Sequence, residues 1–195
     1  MEKPAGSGSR MYFIALVLPQ AIDEKILRYK QQMRESYGCK VGLKSPAHVT
    51  IIPPYWMEEE KEAALVQDMV SFARDFPPFT LTTANFSAFI PRTIFVAVEE
   101  NEMLIRLKKN ADAFFGGKNY KMKIESRRFH PHITIATRDL SKKAFWEAWP
   151  RFEKESFLET VAITGLSLLK HNGQKWEVSF TAPFAATEAD AQVLR

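Results

Sequence analysis

The sequence predicts an α+β fold: a bilobal single domain of two pseudo-symmetric β-α-β-α-β halves, with a central cleft between two mainly antiparallel sheets. The first observation behind this prediction is a pair of similar segments, residues 46–53 and 129–136, each of which contains His-x-Thr. The second is the order of the elements, because strand, helix, motif strand, helix and strand occur once and then occur again. The motif histidines are 132 − 48 = 84 residues apart, which places one motif in each half.

The two motifs are His48-Val49-Thr50 and His132-Ile133-Thr134. Successive side chains of a strand point to opposite faces, so the His and the Thr share one face while the β-branched residue between them points to the other. The His and the Thr are then about 6.6–6.8 Å apart along the strand. Two such faces turned toward each other frame a small polar cleft that holds two imidazoles and two hydroxyls.

The first half follows a flexible leader, which is predicted at residues 1–10 from its Gly-Ser content. The domain itself is expected to span residues 11–183. The predicted elements of this half are a strand at 12–18, a helix at 20–37 that stops at Gly38, the motif strand at 47–53 that stops at Pro53-Pro54, a helix at 58–76 with a solvated acidic start, and a strand at 79–90.

The second half repeats this order and ends in a hairpin. Its predicted elements are a strand at 93–98, a helix at 102–115, the second motif strand, a helix capped by Ser141 with Phe145, Trp149 and Phe152 on one face, and a hairpin of residues 158–169 and 176–181. The hairpin turns at His171-Asn172-Gly173, where Asn-Gly favours a tight turn. Residues 184–195 are predicted to be a polar tail.

Composition is that of an ordinary globular protein, with 46 % hydrophobic and 26 % charged residues. The net charge of +4 suits an anionic partner without requiring one. The single cysteine, Cys39, excludes an internal disulfide and favours a reducing, cytoplasmic location. The apolar run at residues 11–18 is too short to cross a bilayer and is interpreted as the first strand. We expect a monomer that does not associate with membranes.

Two histidines across a small cleft suit a reaction in which one proton is removed and another is delivered, because imidazole titrates near neutral pH. Threonine hydroxyls are short donors that hold anionic oxygens. The cleft therefore fits in-line attack on a phosphodiester, in which one neutral His activates the incoming hydroxyl and the other His protonates the leaving oxygen. Thr50 and Thr134 hold the non-bridging oxygens. The pattern does not decide which of His48 and His132 is the acid.

Other hydrolytic mechanisms lack their sequence signatures in this chain. Neither motif contains Asp or Glu, and the sequence has no H-E-x-x-H, no cysteine-rich cluster, no G-x-S-x-G elbow and no P-loop. We therefore expect that the reaction needs no metal and no cofactor.

The motifs carry a resemblance to a known family. The segments His48-Val49-Thr50-Ile51 and His132-Ile133-Thr134-Ile135 resemble the paired H-x-T-[hydrophobic] motifs of the 2H phosphoesterase superfamily. Their flanks resemble its branch of 2′-5′ RNA ligases and RNA 2′,3′-cyclic phosphodiesterases. The resemblance implies metal-free catalysis by the two histidines, on RNA ends or small nucleotides that carry a 2′,3′-cyclic phosphate. It leaves hydrolysis, reversible ligation, trimming of RNA ends and cleavage of 2′-5′ linkages open.

Residues beside the motifs are candidates for substrate contact. Arg127 is predicted to bind a phosphate through its planar guanidinium, with Arg128 as an equivalent choice. Tyr55, with Trp56 next to it, follows the first motif strand, where an aromatic ring either stacks on a base or packs in the core.

The other basic residues lie outside the two His-x-Thr motifs. His130 lies at the entrance of the second motif strand and His171 lies in the predicted hairpin turn, so both are interpreted as structural or surface residues. The lysines of the loop at residues 118–123 either attract RNA or are simply solvated. Arg92 faces either the cleft or the solvent.

Three functional hypotheses follow from these residues. The leading hypothesis is a metal-free phosphoesterase. The second is a nucleotide- or RNA-binding module that keeps the cleft without turnover, although a pure binder has little need of two proton-transfer groups. The third is an interaction scaffold in which the histidines are structural. Replacing His48 or His132 by Ala distinguishes them, because only the scaffold requires these side chains for folding.

Overall fold

The computed structural model describes residues 8–185. The strands are β1 (Ser9–Val17), β2 (His48–Glu58), β3 (Phe79–Phe89), β4 (Thr93–Val98), β5 (His132–Ala136), β6 (Thr160–Ile163), β7 (Gly165–His171) and β8 (Trp176–Pro183). The helices are α1 (Gln20–Tyr37), α2 (Glu62–Ala73), α3 (Glu102–Gly116) and α4 (Lys142–Phe152), and short 3-10 turns lie at Val41–Lys44 and Glu59–Lys61.

The strands form two four-stranded antiparallel sheets, which confirms the predicted α+β fold. The first sheet has the order β2-β1-β7-β8 and the second has the order β5-β4-β3-β6. In each sheet the motif strand is an edge strand, and it pairs with the strand that precedes it in the sequence. The pseudo-symmetry of the sequence is therefore a pseudo-symmetry of the sheets.

The two sheets do not coincide with the two halves of the sequence. The element order β1-α1-β2-α2-β3 and β4-α3-β5-α4-β6 is the predicted one. However, β3 joins the second sheet beside β4 and β6, while β7 and β8 return to complete the first sheet. Each lobe thus contains strands from both halves, and the chain crosses the seam more than once.

The helices bury the apolar stripes that the sequence predicts, and two of them cross the seam. In α1 the side chains of Ile22, Ile26 and Met33 are buried, and the helix ends at Gly38 in the left-handed region with φ 72°. Helix α1 contacts β5 and helix α3 contacts β2, so each helix packs against the motif strand of the other sheet. This arrangement fixes the two motif strands relative to each other.

The first motif strand is longer than predicted, because Pro53-Pro54 does not end it. Strand β2 continues to Glu58. Its pairing with β1 is irregular at the prolines, since Ile52 pairs with Ile14 and Tyr55 pairs with Tyr12. A proline lacks the N–H that a central strand needs, and β2 tolerates two of them because it is an edge strand with an irregular register at this point.

The second helix is shorter than predicted, and its acidic start is not a helix start. Glu58 ends β2, the next two acidic residues lie in the 3-10 turn, and α2 begins at Glu62. Glu62 lies outside the run predicted to be solvated, and its carboxylate accepts hydrogen bonds from Tyr12 Oη at 2.9 Å and from Lys170 Nζ at 2.8 Å.

Residues 158–169 do not form one strand of a hairpin, as the sequence predicts. The segment changes sheets at Thr164, so that β6 pairs with β3 and β7 pairs with β1 and β8. Strand β6 alternates between exposed and buried residues, whereas the first five residues of β7 are all buried. The predicted β-hairpin therefore consists of β7 and β8 only.

The domain extends slightly beyond the predicted boundaries. Strand β1 begins at Ser9, inside the segment predicted to be a leader. At the other end, Phe184 is buried against Phe76 and Phe79, and Ala185 N donates to Phe76 O at 3.0 Å. The rest of the predicted leader and tail, residues 1–7 and 186–195, lies outside the described residues. Across residues 8–185, none of the helices combines the length and the apolar character that a bilayer crossing requires.

Candidate active site

The two motifs occupy equivalent places on β2 and β5, and these two strands contact each other across the seam. His48, Thr50, His132 and Thr134 are half-buried, whereas Val49 and Ile133 are buried. The period-two alternation therefore places each His and Thr on the cleft side and the residue between them in the core.

Both imidazole rings are held by the backbone in the same way. His48 Nδ1 lies 2.7 Å from Pro46 O, and His132 Nδ1 lies 2.6 Å from His130 O. A carbonyl oxygen only accepts hydrogen bonds, so Nδ1 is the protonated nitrogen in both rings. In the neutral tautomer that results, Nε2 carries the lone pair. The atom left for proton transfer is thus Nε2 in both histidines.

A phenylalanine of the neighbouring strand lies against each imidazole. Phe13 of β1 lies 4.8 Å from His48, and Phe95 of β4 lies 4.9 Å from His132, measured between ring centroids. Both phenylalanines are buried. These contacts fix the second side of each ring and reduce its exposure to water.

Desolvation lowers the pKa of both histidines. The pKa of His48 falls to about 4, first because burial penalises the imidazolium and then because the Lys30 ammonium and His132 add positive charge nearby. Burial also lowers the pKa of His132, with a further contribution from His130. His48 is therefore neutral at pH 7 and able to accept a proton at Nε2.

Two charged side chains of α1 hold the segment that leads into the first motif. Asp23 Oδ1 accepts from Ala47 N at 2.6 Å, and Lys30 Nζ donates to Ser45 O at 2.9 Å. Lys30 is buried, and this burial lowers its pKa to about 8. These two contacts fix the backbone on either side of Pro46, whose carbonyl orients His48.

The 3-10 turn at Val41–Lys44 closes the cleft between the two motifs. Asp139, which follows β5, accepts from Lys40 N at 2.6 Å and from Val41 N at 2.9 Å. Gly42 is buried against β5, and a Cβ at this position would lie 2.2 Å from Ile135 O. Only glycine allows the turn to lie this close to the second motif strand.

The cleft consists of two recesses that share Thr50. We call the larger one, a cavity of about 360 Å³, the Trp176 recess; its lining includes Phe13, His48, Thr50, Thr134, Arg138 and Trp176. We call the smaller one the His132 recess; its lining includes Thr50, Phe89, Lys108, Arg127, His130 and His132. Both motifs thus line both recesses, because Thr134 lies with His48 in the Trp176 recess and Thr50 lies with His132 in the His132 recess.

Of the two residues predicted to contact substrate, Arg127 lies at the cleft and Tyr55 lies in the core. Arg127 is exposed and lines the His132 recess, beside Arg128, which forms an ion pair with Glu100 at 3.1 Å. Tyr55 is only 1 % exposed and packs against Tyr12 in the core, which agrees with the second of the two alternatives given for it above. The preceding residue, Pro54, takes the position that faces the cleft.

Several residues of the site escape the sequence analysis. His171 and Trp176 line the Trp176 recess, although His171 is interpreted above as a structural residue. Their pairing across the predicted Asn-Gly turn is visible in the sequence, but the sequence does not show that this hairpin reaches the cleft. Arg138 follows the second motif strand closely, and that position is the one signal that points to it.

A buried lysine at the base of the cleft is also missed. Lys108 Nζ donates to Ile51 O at 2.9 Å and to Asp112 Oδ1 at 2.6 Å. The lysine-rich loop, by contrast, is partly neutralised, because Lys118 pairs with Asp68 at 3.0 Å. Arg92 is exposed on the turn between β3 and β4.

The polar groups that line the site are imidazoles, hydroxyls and positively charged side chains. Within residues 8–185, no three His, Cys, Asp or Glu side chains are grouped so that they could hold a metal ion. Cys39 is buried, and its burial raises the pKa of the thiol to about 11, so it is not an activated nucleophile.

Each of the two antiparallel sheets presents one His-x-Thr strand to a shared cleft. This arrangement is that of a two-histidine phosphoesterase-like protein. The model of the 2′-5′ RNA ligase superfamily matches residues 19–175, and the chain belongs to this family. A Geobacillus kaustophilus protein, provisionally named a phosphoesterase, is 27 % identical to this chain over 172 residues. The aligned residues cover 86 % of this chain and 92 % of that protein.

Solved structures show the same fold. A Thermus thermophilus protein, TT0787, has a TM-score of 0.62 at 20 % identity, with 92 % of this chain and 100 % of that chain covered. Escherichia coli LigT, in a complex with 3′-AMP, also has a TM-score of 0.62 at 20 % identity, with 91 % and 99 % of the two chains covered. At this level of identity, the likeness establishes the fold.

Proposed function

We propose that this protein is a metal-independent phosphoesterase that opens 2′,3′-cyclic phosphate ends of RNA or nucleotides to 2′-phosphates. The observation that carries the proposal is the equivalent state of the two motif histidines, each with Nδ1 bound to a backbone carbonyl and Nε2 left for the substrate. Paired imidazoles in one cleft are suited to remove one proton and deliver another.

In the proposed step, water attacks the phosphorus in line with the bond to O3′. Nε2 of one histidine accepts the proton of the water while the P–O3′ bond breaks. Nε2–H of the other histidine gives its proton to the departing O3′, which becomes a hydroxyl. The product is a 2′-phosphate, and the two histidines end with their protonation states exchanged.

We assign the base to His48 and the acid to His132. The pKa of His48 is lowered more than the pKa of His132. His48 therefore favours its neutral form, and His132 is the easier of the two histidines to protonate. An anionic phosphate in the cleft favours a protonated imidazole, because opposite charges attract in a poorly solvated site.

Other side chains of the cleft are proposed to hold the phosphate. The hydroxyls of Thr50 and Thr134 face the same recess as His48, where they are placed to donate to the non-bridging oxygens. Arg127 and Arg138 line the two recesses and add positive charge for an anionic substrate. All of these residues come from one chain, so we expect the protein to act as a monomer.

The comparisons support a nucleotide substrate. LigT has been crystallised in complexes with 3′-AMP, ATP, NADP+ and phosphate, and its fold is shared by this chain. The family name also includes ligation, and an incoming hydroxyl in place of water runs the same chemistry toward a phosphodiester. We propose hydrolysis as the main reaction, because water needs no second binding partner.

The test is turnover of a short oligonucleotide that ends in a 2′,3′-cyclic phosphate, assayed in EDTA. We expect the wild type to produce the 2′-phosphate, and His48→Ala and His132→Ala each to lose about 10²- to 10⁴-fold in kcat. Tyr55→Phe serves as the matched control, because the buried hydroxyl of Tyr55 has no hydrogen-bond partner among the described residues and should be dispensable.

Two results would contradict the proposed function. Complete inactivation of the wild type by EDTA would overturn metal independence. Tight binding of the oligonucleotide without any turnover would instead favour the alternative, a nucleotide- or RNA-binding module on the same fold.

A further inference from the structure

The peptide group that orients His48 is hydrogen-bonded at both of its polar atoms. Its carbonyl oxygen, Pro46 O, lies 2.7 Å from His48 Nδ1, and its N–H, on Ala47, donates to Asp23 Oδ1 at 2.6 Å. The carbonyl of one residue and the N–H of the next belong to the same planar amide. The Asp23 carboxylate is thus linked to the imidazole of His48 through a single peptide group.

The peptide group that orients His132 cannot be bonded in this way. Its carbonyl oxygen, His130 O, lies 2.6 Å from His132 Nδ1, but the nitrogen of the same amide belongs to Pro131. Proline has no N–H, so this amide has nothing to donate to a carboxylate. The two motif histidines therefore differ in the group that lies behind their carbonyl partners.

A carboxylate behind the peptide strengthens the bond between the peptide and the imidazole. Hydrogen bonds in a chain polarise one another, so an amide that donates to a carboxylate carries more negative charge on its carbonyl oxygen. Burial lowers the pKa of His48, and the bond to Pro46 O acts in the opposite direction. Whatever strengthens this bond therefore makes His48 a better base. A carboxylate bonded directly to Nδ1 supports the imidazolium of a Ser-His-Asp triad in the same sense.

Asp23 is placed to act on the histidine without touching the substrate. It lies in the first turn of α1, and the described residues that line the two recesses do not include it. Its charge reaches this part of the site, because burial lowers the pKa of Lys30 while Asp23 acts in the opposite direction. An effect of Asp23 on the reaction must therefore pass through the groups that it holds.

We propose that Asp23 is a positioning residue for the general base, and that it acts on His48 through the peptide group between Pro46 and Ala47. This inference rests on the proposed function, because it takes His48 as the base. When Nε2 accepts the proton of the attacking water, Nδ1 keeps its own proton. The positive charge on the ring is then stabilised by Pro46 O and, behind it, by the carboxylate. His132 lacks this support, which agrees with its assignment as the acid.

The substitution Asp23→Asn tests the link, because an amide oxygen still accepts from Ala47 N but carries no charge. The measurement is the proton resonance of Nδ1–H in ¹⁵N-labelled protein at neutral pH, without substrate. The variants His48→Ala and His132→Ala assign the resonance of each ring. Because these resonances are recorded in the same sample, His132 serves as an internal reference.

The matched control is Glu24→Gln, which removes a carboxylate from the neighbouring position of α1. Glu24 is exposed, and the side-chain contact of its carboxylate is with Gln20 Nε2 at 2.9 Å. The control therefore makes the same change of charge on the same helix without touching the segment that leads into the first motif.

We expect Asp23→Asn to shift the Nδ1–H resonance of His48 upfield, because a weaker bond to Pro46 O deshields this proton less. The resonance of His132 should stay in place. In the cyclic phosphate assay, kcat should fall about 10-fold, the lower end of the range for groups that orient metal-bound histidines from behind. The KM should not change, since Asp23 does not touch the substrate. Glu24→Gln should behave as the wild type in all of these measurements.

A His48 resonance that stays in place in Asp23→Asn, or that moves together with the His132 resonance, would overturn the link through the peptide. An active wild type whose kcat is unchanged by Asp23→Asn would overturn the role of Asp23 in the reaction. The resonances do not depend on turnover, so these failures are distinct from a failure of the proposed function. If the His48 resonance shifts as expected while the wild type gives no product, the link stands and the phosphoesterase activity does not.

Discussion

His48 and His132 are oriented by carbonyl groups of the chain that leads into their own strands. Each Nδ1 bonds to the carbonyl two residues upstream, at Pro46 and at His130. The acceptors are main-chain atoms, so the orientation depends on the path of the backbone and not on which side chains occupy these two positions. This explains how two dissimilar flanking sequences produce the same imidazole geometry.

The residues of the motif could be predicted from the sequence, whereas the residues around it could not. The alternation along a strand is enough to place His48 with Thr50 and His132 with Thr134. Tyr55 is in the core because Pro54 faces the cleft instead, and that choice depends on the irregular pairing of β2 with β1. Such irregularities depend on the partner strand, which local sequence does not reveal.

The pH dependence of kcat/KM should follow the lowered pKa values of the free protein. Activity should rise with pH through about 4, as His48 loses its proton, and fall again as His132 loses its proton below its ordinary pKa of about 6.5. The optimum therefore lies on the acid side of neutrality. A pH–rate profile of the wild type measures both limbs.

The substitution Lys30→Met tests whether the positive charge of Lys30 sets the pH of the rising limb in the pH–rate profile. Removal of the nearby ammonium stabilises protonated His48, so the rising limb should move to higher pH. Lys25→Met, on the exposed face of the same helix, is the control and should leave the limb in place. A rising limb that does not move in a folded Lys30→Met protein would contradict this role for Lys30.

At the scale of elements, the site depends on two helices that reach across the seam. Lys30 on α1 bonds to the carbonyl of Ser45, ahead of the first motif, and Lys108 on α3 bonds to the carbonyl of Ile51, within the first motif strand. A buried ammonium needs such acceptors because an unpaired buried charge is costly. These lysines therefore tie the motif strand to both helices.

The ends of elements are predicted where a local signal marks them. Gly38 ends α1 and Ser141 caps α4 by accepting from Ala144 N, as the sequence indicates. The change of sheet at Thr164 has no comparable signal, because both flanking segments have strand character. The start of α2 is displaced for a similar reason, since the acidic residues before it suit a 3-10 turn as well as a helix.

Gly42→Ala should disturb the contact between the 3-10 turn and β5. The added Cβ would lie 2.2 Å from Ile135 O, so the turn or the motif strand must move. We expect a loss of about 1–3 kcal/mol in the free energy of unfolding, in line with overpacked sites. Because Thr134 precedes Ile135, kcat should fall as well. Urea unfolding and the cyclic phosphate assay measure the two effects.

Gly8→Ala is the matched control for this substitution. Among residues 8–185, no atom lies within 4 Å of a Cβ built at Gly8, so stability and activity should be those of the wild type. If Gly42→Ala behaved in the same way as Gly8→Ala, the close approach between the turn and β5 would be refuted.

At the scale of the whole molecule, the two lobes are interlocked. Strand β3 from the first half of the sequence completes the second sheet, and β7 and β8 from the end of the chain complete the first. The lobes therefore cannot separate as two consecutive segments would. This rigidity holds the two motif strands at a fixed spacing, which the two proposed proton transfers at one phosphorus would require.

The duplication of element order is predicted by the sequence, but the exchange of strands between the sheets is not. Helical and strand periodicities report which face of each element is buried. They do not report which distant strand becomes the neighbour, because many apolar strands offer equivalent edges. The two His-x-Thr faces could be predicted because they depend on alternation within each motif strand, whereas the 3-10 turn and the hairpin that complete the cleft could not.

The proposed function requires His48 and His132 to act on one phosphate as a single unit. A double-mutant cycle on kcat tests it, with the wild type, His48→Ala, His132→Ala and the double variant acting on the oligonucleotide with a 2′,3′-cyclic phosphate end. If both proton transfers belong to one step, the double variant should be about as slow as the slower single variant. A rate reduced by the product of the two single effects would contradict the claim, because it would mean that the histidines contribute independently.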